Sequence, residues 1–491
     1  VLDYSSLYPS SIISENLSHE TYCVDEEWLG TKGKKKLAKI GYGVRDITFN
    51  IYKDIDPDNK SKGKRKIGEK TCRYVQYPNN KDGNERKGII PNILMKLLTA
   101  RKKTRAKIKT ETDEFKRSVL DGLQLAYKIT ANSLYGQIGA KTSNVRWIDI
   151  AASTTAVGRE LVMFAKHQVE EKIEGTKVIY GDTDSVFVKF KLEDEYGNKL
   201  EGEKAVEKSI EVGKKFEKLV KSLLKPPHNL EYEKTFWPFI LLSKKRYVGN
   251  KYEFSIDKYK QNSMGIVLKR RDNANIVKHI YGGVIDIIMN EKDIEKSKRF
   301  LKDSLMDLIN GKFDNDMLII TKSLRGNYKD PKSIAHKVLA DRMGERDPGN
   351  KPQVNDRIPF IYINVPEKKG VKILQGDRIE NPQYILDNKL KPDYKFYITN
   401  QIMKPVAQVF SLVMDNPESL FKETIRIATN RKNNVQEITK WYQGINSQLS
   451  ASTDSHVGTN VWKQSTKNKT KNKTKKNSNV SEITRWFKRI S

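Results

Sequence analysis

The stretch KVIYGDTDSVFVKF, from Lys177 to Phe190, constrains the fold more than any other part of the chain. Two runs of β-branched and aromatic residues flank Asp182 and Asp184, so the segment reads as a tight hairpin with two carboxylates, one residue apart, at its bend. Aspartate suits turn geometry, and an acidic pair in a turn is commonly no more than a solvated bend. Here the apolar runs bring the tip close to a packed sheet, and two carboxylates held together disfavour each other's ionisation. A bound divalent cation removes that conflict. Mg2+ takes oxygen ligands, usually one or two protein carboxylates completed by phosphates and water. An enzyme that exchanges one phosphoryl oxygen for another can use two such ions ~3.5–4 Å apart. That arrangement needs a carboxylate from another strand, and Asp3, in the strand-like segment that opens the chain, is the best candidate.

At 491 residues the chain is too long for one hydrophobic core and is expected to form several subdomains. Lys and Arg number 92 against 61 Asp and Glu, a formal net charge of +31. Such an excess favours a polyanionic partner, nucleic acid first, although a basic surface can also serve solubility alone. Only Cys23 and Cys72 are present, too few for a disulfide framework or a four-ligand zinc site, which fits a reducing compartment. No structural metal cluster is expected. No apolar run approaches the ~20 residues that span a bilayer, and the first residues do not read as a signal peptide. A soluble, intracellular protein without a membrane partner is the expectation. Val1 is not an initiator Met and lies inside an apolar strand, as in part of a longer chain.

Periodicity places the elements. A strand, a Ser/Pro turn and a short amphipathic helix occupy the first residues, and residues 31–87, rich in Lys, Gly, Asn and Asp, read as an insertion of short strands and exposed loops. IIPNILMKLLTARKKTRAKIKTE carries Pro91 near its start and Leu94, Leu97 and Leu98 on one face. FKRSVLDGLQLAYKITANSLYG spaces Val119, Leu123, Ala126, Ile129 and Ser133 at helical intervals and ends at Gly136. A short charged link makes the two an antiparallel helical hairpin. A further helix precedes the acidic hairpin and another covers about residues 201–224. Strands continue to about Met264, a mainly helical region to about residue 428, and a low-complexity basic tail, expected to be disordered, follows.

DYSSLYPS (Asp3 to Ser10), KITANSLYG (Lys128 to Gly136) and YGDTDS (Tyr180 to Ser185) together resemble the three palm-and-fingers motifs of family B DNA polymerases, in the family's order. The resemblance continues through KKRY (Lys244 to Tyr247), KRRDN (Lys269 to Asn273), ADRMGERDPGNKP and ITNQIMKPV, and covers about residues 1–425. It is greatest to polymerases of large double-stranded DNA viruses of algae and to those of giant viruses. The implied fold is α+β in a right-hand architecture. Its palm, an antiparallel sheet plus helices, would take residues 1–87 with the basic insertion and 141–265 with the catalytic hairpin. A helical hairpin at 88–140 would form the fingers, residues 266–428 a mainly helical thumb, and 429–491 a flexible basic tail.

The resemblance also implies roles. Asp3 and Asp184 match the carboxylates that bind two Mg2+ ions, with Mn2+ as a substitute, Asp182 the flanking acid, and the Tyr4 carbonyl a further ligand. The amides of Ser6, Leu7 and Tyr8 would face the incoming triphosphate, and the Tyr8 ring would pack on the sugar and block a 2′-hydroxyl; alone, Tyr8 would read as an ordinary core aromatic. Lys128, Asn132 and Tyr135 stand at i, i+4 and i+7 on one helix face. By resemblance Lys128 binds the triphosphate, and Asn132 and Tyr135 lie by the nascent base pair. Arg101 matches a second triphosphate contact. Arg105 stands where the family usually has Lys, replacing a point charge with a planar fork; Lys102 and Lys103 read as a solvated face. Lys244, Lys245, Arg246 and Tyr247, with Arg270 and Arg271, would hold the primer–template duplex. Glu233 matches an acid near the metals or forms a structural ion pair.

Primer–template DNA and dNTPs are the implied partners, and a viral replication site in host nucleus or cytoplasm the implied location. The family's 3′–5′ exonuclease precedes the first motif, so no proofreading is expected of this chain alone, and a missing N-terminal exonuclease half is an expected partner. In the tail, VQEITKWYQGI and VSEITRWFKRI repeat one pattern and resemble peptides that plug a sliding clamp, with Ile438, Trp441 and Tyr442, and Ile483, Trp486 and Phe487, as candidate contacts. The rival readings are a non-catalytic or truncated DNA-binding relative and a reverse transcriptase; the NSLYG helix and KKRY speak against the latter.

Overall fold

Leu2 and Tyr4 are each 1% exposed while Asp3 between them is only half-buried, the alternation of a strand with one face in a core. The structure is a computed structural model that describes residues 1–59, 62–79, 86–365 and 373–431. It divides into two compact units, one of Val1–Arg270 with Met289–Lys292, the other of Arg271–Ile288 and the residues from Asp293 onward.

In the first unit the chain runs through β1 (Leu2–Tyr4), α1 (Leu7–Ser14), α2 (Gly30–Lys39), β2 (Gly43–Asp54), β3 (Lys64–Gln76), α3 (Ile89–Thr110), α4 (Glu114–Gly139) and α5 (Ile148–Lys172). It continues with β4 (Lys177–Asp182), β5 (Ser185–Lys189), α6 (Gly202–Lys221), β6 (Leu230–Tyr232), β7 (Thr235–Ser243), β8 (Arg246–Tyr252) and β9 (Lys260–Met264). An antiparallel sheet of order β4-β5-β1-β6 places the first strand of the chain in its interior. Leu2 and Tyr4 point into a core shared with Ala165 and Val169 of α5 and Val206, Ile210, Phe216 and Val220 of α6. Each such buried aliphatic or aromatic side chain contributes about 1.5–3 kcal/mol. The Tyr4 hydroxyl donates to the Leu161 carbonyl at 2.8 Å, which satisfies its one buried polar group and ties the strand to α5. With that face committed to the helices, Asp3 must stand on the other.

The acidic stretch forms the expected hairpin, β4 and β5. The two long helices form the expected helical hairpin, with Asp113 capping α4 by accepting from the Lys116 amide at 3.0 Å. α4 runs on through Gly136 to Gly139 and buries only Ala131 and Ile138. Val119, Leu123 and Ile129, whose spacing marked the helix, are exposed in this unit, because a two-helix hairpin covers only one stripe of each helix. The insertion differs from expectation: Gly43–Asp54 and Lys64–Gln76 pair as one long ribbon of 12- and 13-residue strands preceded by α2. Its base is anchored by Ile47, Cys72 and Tyr74 in a second core with Ile12, Leu17, Leu94, Ile138 and Ile150.

The second unit contains α7 (Asn275–Asp286), α8 (Ile294–Ile309), β10 (Ile320–Ser323), α9 (Ala335–Arg346), β11 (Arg357–Tyr362), β12 (Ile379–Glu380), α10 (Pro382–Asp387), α11 (Tyr394–Phe396) and α12 (Met403–Phe410). It is mainly helical, with a three-stranded antiparallel sheet of order β10-β11-β12. Buried Glu380 receives Arg342 at 3.0 Å and Arg346 at 2.9 Å, which pins α9 to β12.

Beside α1, Ser14 Oγ lies 3.0 Å from His228 Nε2, and the buried Glu15 carboxylate is held by Arg45 at 2.7 Å and Lys225 at 3.2 Å. Burial pushes His228 down to about 4, with Glu15 opposing and Lys225 reinforcing. The unfolded chain therefore takes up a proton near pH 6.5 that the fold refuses until about pH 4. Stability is complete above that window and falls as pH drops through it, by about 1.4 kcal/mol per unit. His228→Gln, which keeps a partner for Ser14, is expected to flatten the decline of the urea midpoint from about pH 6.5 to 4. A decline equal to that of the parent chain would exclude His228 as its source.

Candidate active site

Asp3 faces Ser185 of β5 on one side and Glu231 of β6 on the other, and the Tyr4 amide donates to the Asp184 carbonyl at 2.8 Å. This register brings the carboxylates of Asp3 and Asp184 to one cavity of about 390 Å³. The hairpin tip is tight: the Asp184 amide donates back to the Asp182 carbonyl at 2.5 Å, and Thr183 takes a left-handed φ of 54°. That conformation is a rare one for a β-branched residue. Such backbone conformations cost about 1–3 kcal/mol and cluster at functional sites.

The carboxylates are in electrostatic conflict. Burial, then Asp184, then Glu233 push the Asp3 carboxyl up to about 7. Asp184 is raised as well, by burial foremost, with Asp182 and Glu233 adding to it. Half-buried hard oxygens that repel one another are the donor set a divalent cation suits. Among the described residues no group of three or more His, Cys, Asp or Glu side chains forms a closed metal cage. Asp3 and Asp184 fit an open Mg2+ site whose remaining ligands come from phosphate and water.

The same cavity is lined by cations. Arg101 and Arg105 reach it from α3 and Lys128 from α4, beside Asn132. Arg101 Nε donates to Gln124 Oε1 at 3.3 Å, and among the described residues none of the three cations has a carboxylate within ion-pair distance. Ser6, in a left-handed conformation, turns β1 into α1, so that Ser6, Leu7 and Tyr8 line the cavity at a helix start, where backbone amides lack intrahelical acceptors. The Tyr8 ring packs on Tyr135 with centroids 4.4 Å apart and an interplanar angle of 40°. Tyr4 lends its backbone to the lining while its side chain stays in the core.

Not every expected residue joins the cavity. Asp182 is turned to Lys245, whose ammonium pairs with its carboxylate and whose amide donates to the Tyr180 hydroxyl at 2.8 Å. Tyr247 is buried among Phe187, Phe236 and Phe239 beneath the hairpin. Lys244 is exposed and Arg246 half-buried on the same turn. Arg270 ends the first unit's long segment; Arg271 belongs to the second unit, where its carbonyl accepts from Thr321 Oγ1 at 3.1 Å. Glu233 pairs with Lys234 at 2.8 Å, so it is an ion-paired residue that still acts electrostatically on Asp3. Ile438, Trp441, Tyr442, Ile483, Trp486 and Phe487 lie outside the described residues.

Two residues were missed. Glu231 lines the cavity and accepts from Asn229 Nδ2 at 2.7 Å. It stands two residues before Glu233, and strand alternation could have found it. Gly158 of α5 lies directly behind Tyr8, where a Cβ would stand 3.1 Å from Tyr8 Cε1. No local pattern marks it.

No helix among the described residues is long and apolar enough to cross a membrane. Residues 1–413 match the model of the family described as DNA polymerase family B. The chain is 49% identical over 458 residues to a DNA polymerase of Pyramimonas orientalis virus, covering 84% of this chain and 36% of that protein. It is 47% identical over 269 residues to a DNA polymerase of Acanthamoeba polyphaga mimivirus, covering 54% of this chain and 16% of that protein. To the DNA polymerase delta catalytic subunit of Candida albicans it is 36% identical over 417 residues, covering 83% of this chain and 35% of that protein. The chain thus spans about a third or less of the length of these curated relatives. Its α+β fold is similar to that of the family B DNA polymerase of the archaeon Pyrobaculum calidifontis, with a TM-score of 0.53, 22% identity, and coverage of 84% of this chain and 45% of that one. The chain belongs to DNA polymerase family B.

Proposed function

We propose that this chain carries out template-directed DNA synthesis, moving a nucleotidyl group from a dNTP to a primer 3′-hydroxyl. One observation carries the reading: a single cavity lined both by carboxylates, Asp3, Asp184 and Glu231, and by cations, Arg101, Arg105 and Lys128, that have no carboxylate at ion-pair distance among the described residues. A nucleoside triphosphate accompanied by Mg2+ matches both sets, its phosphates meeting the cations and its metal the carboxylates.

Asp3 and Asp184, with the Tyr4 carbonyl, would hold Mg2+, which when bound stabilises negative charge on the phosphoryl oxygens. Lys128, Arg101 and Arg105, with the amides of Ser6, Leu7 and Tyr8, hold the triphosphate so that its α-phosphorus lies in line with the primer hydroxyl. The new P–O bond forms as the bond to pyrophosphate breaks. Tyr8 packs on the sugar, and Asn132 and Tyr135 lie by the nascent base pair. Asp182 flanks the acidic centre. Lys244, Lys245 and Arg246 contact the duplex in a way that reads shape more than sequence, with buried Tyr247 supporting their turn from beneath, and Arg270 and Arg271 are a second duplex-contact segment. In this reading residues 1–87 and 141–265 are the palm, 88–140 the fingers and 266–428 the thumb.

Extension of a labelled primer–template by the purified chain, with Mg2+ and one dNTP at a time, tests this. Incorporation of only the nucleotide that pairs with the template base is the expected result. No incorporation and no template-dependent dNTP binding, with DNA binding retained, would replace the reading with that of a DNA-binding relative.

A further inference from the structure

Tyr8 meets two helices, and its contact with α5 is the unusual one. Its ring meets Tyr135 of α4. It also lies against Gly158 of α5, where an added Cβ would stand 3.1 Å from Tyr8 Cε1 and 3.3 Å from Leu7 Cδ2. Carbon atoms in good contact are about 3.5–4.0 Å apart, so a side chain at residue 158 requires its neighbours to give by a few tenths of an ångström. Leu7 belongs to the sheet core and is 3% exposed, so the ring is the part that can move. Glycine inside a long helix lowers stability relative to alanine, and helix α5 gains nothing from it except this close approach.

The direction of movement follows from the cavity walls. Tyr8 lines the cavity, and among the described residues none of the lining comes from α5. The ring therefore stands between α5 and the cavity, and pressure from α5 drives it inward.

We propose that Gly158 is a positioning residue for sugar selection: the absence of a Cβ seats the Tyr8 ring against α5 and so sets the room left for the 2′ and 3′ substituents of the incoming nucleotide. This rests on Tyr8 being the residue that packs on the sugar. Gly158→Ala narrows that room from the side of the ring, so its penalty grows with the size of the sugar.

The test is single-nucleotide insertion by the full chain with dideoxy-, deoxy- and ribonucleoside triphosphates of one base, for the parent, Gly158→Ala, Tyr8→Val and the double variant. A 1 Å misplacement can lower a rate about 10²-fold, so a shift of a few tenths is expected to separate the two extreme sugars by about tenfold. Gly158→Ala should lower kcat/KM least for the dideoxy sugar, more for the deoxy sugar and most for the ribo sugar. In the Tyr8→Val background, where no ring is left to push, the same substitution should have nearly no effect on this order. If the chain does not extend primers, the dissociation constants of the three triphosphates for its complex with primer–template carry the same order.

An equal loss for all three sugars, or the same graded loss with and without the Tyr8 ring, overturns the proposal. The controls separate two failures. If Tyr8→Val relaxes discrimination against ribose while Gly158→Ala changes no ratio, only the role of Gly158 falls. If Tyr8→Val leaves the ratios as they were, the sugar-packing reading of Tyr8 falls and the proposal with it.

Discussion

Asp184→Asn is expected to abolish templated incorporation, a loss of about 10³-fold or more, in line with the several kcal/mol a positioned charge contributes at a reacting phosphoryl group. The substitution keeps the shape of the side chain and removes the charge that would hold Mg2+ opposite Asp3. Unfolding does not account for such a loss. Asp184 sits among Asp182 and Glu233, which already push its carboxyl up, so neutralising it relieves repulsion and the thermal midpoint should not fall. Asp182→Asn makes an instructive comparison, because Asp182 is turned out of the cavity and its charge is matched by Lys245. Its loss should be smaller, about tenfold, a side effect on the hairpin tip and the KKRY turn. The check is single-turnover incorporation with saturating dNTP and DNA. Asp184→Asn activity above a tenth of the parent, or a greater loss in Asp182→Asn, would reverse the assignment of the two acids.

These contrasts show which parts of the site the sequence could carry. The hairpin was legible because strand alternation and turn chemistry are local, and the two long helices because a 3.6-residue period leaves local marks. The shared face of Lys128, Asn132 and Tyr135 follows from helix geometry alone; Lys128 and Asn132 line the cavity, and Tyr135 packs on Tyr8 at its edge. Sheet order was not legible. β1 and β6 are three-residue strands, paired across 226 or more residues of sequence, and their register is set by the core on the far face. Glu231 escaped notice although Glu233, two residues on, did not: alternation relates the two, but only the sheet order shows that Glu231 faces Asp3. The exchange of Asp182 for a partner 63 residues away depends in the same way on tertiary structure. The ribbon of β2 and β3 was underestimated because its Lys, Asn and Gly content matches exposed loops, and its few anchors, Ile47, Cys72 and Tyr74, are dispersed.

Several residues that violate ordinary stability rules gather at the cavity. Thr183 has a left-handed backbone, Asp3 and Asp184 repel each other, three cations lack carboxylate partners among the described residues, and a glycine stands inside α5 behind Tyr8. Two well-packed cores beneath them hold these features in place. Local unfavourable choices that converge on one cavity are the pattern expected where geometry serves a ligand.

Lys128→Ala tests the cations of that cavity. Alanine is the best helix former, so α4 should lose no stability, and Lys128 has no carboxylate partner among the described residues whose loss could disturb the fold. What is removed is a charged contact, worth about 1.5–3 kcal/mol, or about 10²-fold at the upper end. If Lys128 grips the triphosphate, that loss appears mainly as a raised KM for dNTP, while the dissociation constant for primer–template stays as in the parent. Lys128→Arg should recover part of the affinity, since the charge returns on a planar fork in place of a compact ammonium. Pyrophosphate should also become a poorer substrate for the reverse reaction by a similar factor, because the group bound by Lys128 is the one that leaves. Weaker DNA binding with an unchanged KM for dNTP would instead place Lys128 against a nucleic-acid strand, and the polyanion met by Lys128 would be template or primer rather than triphosphate.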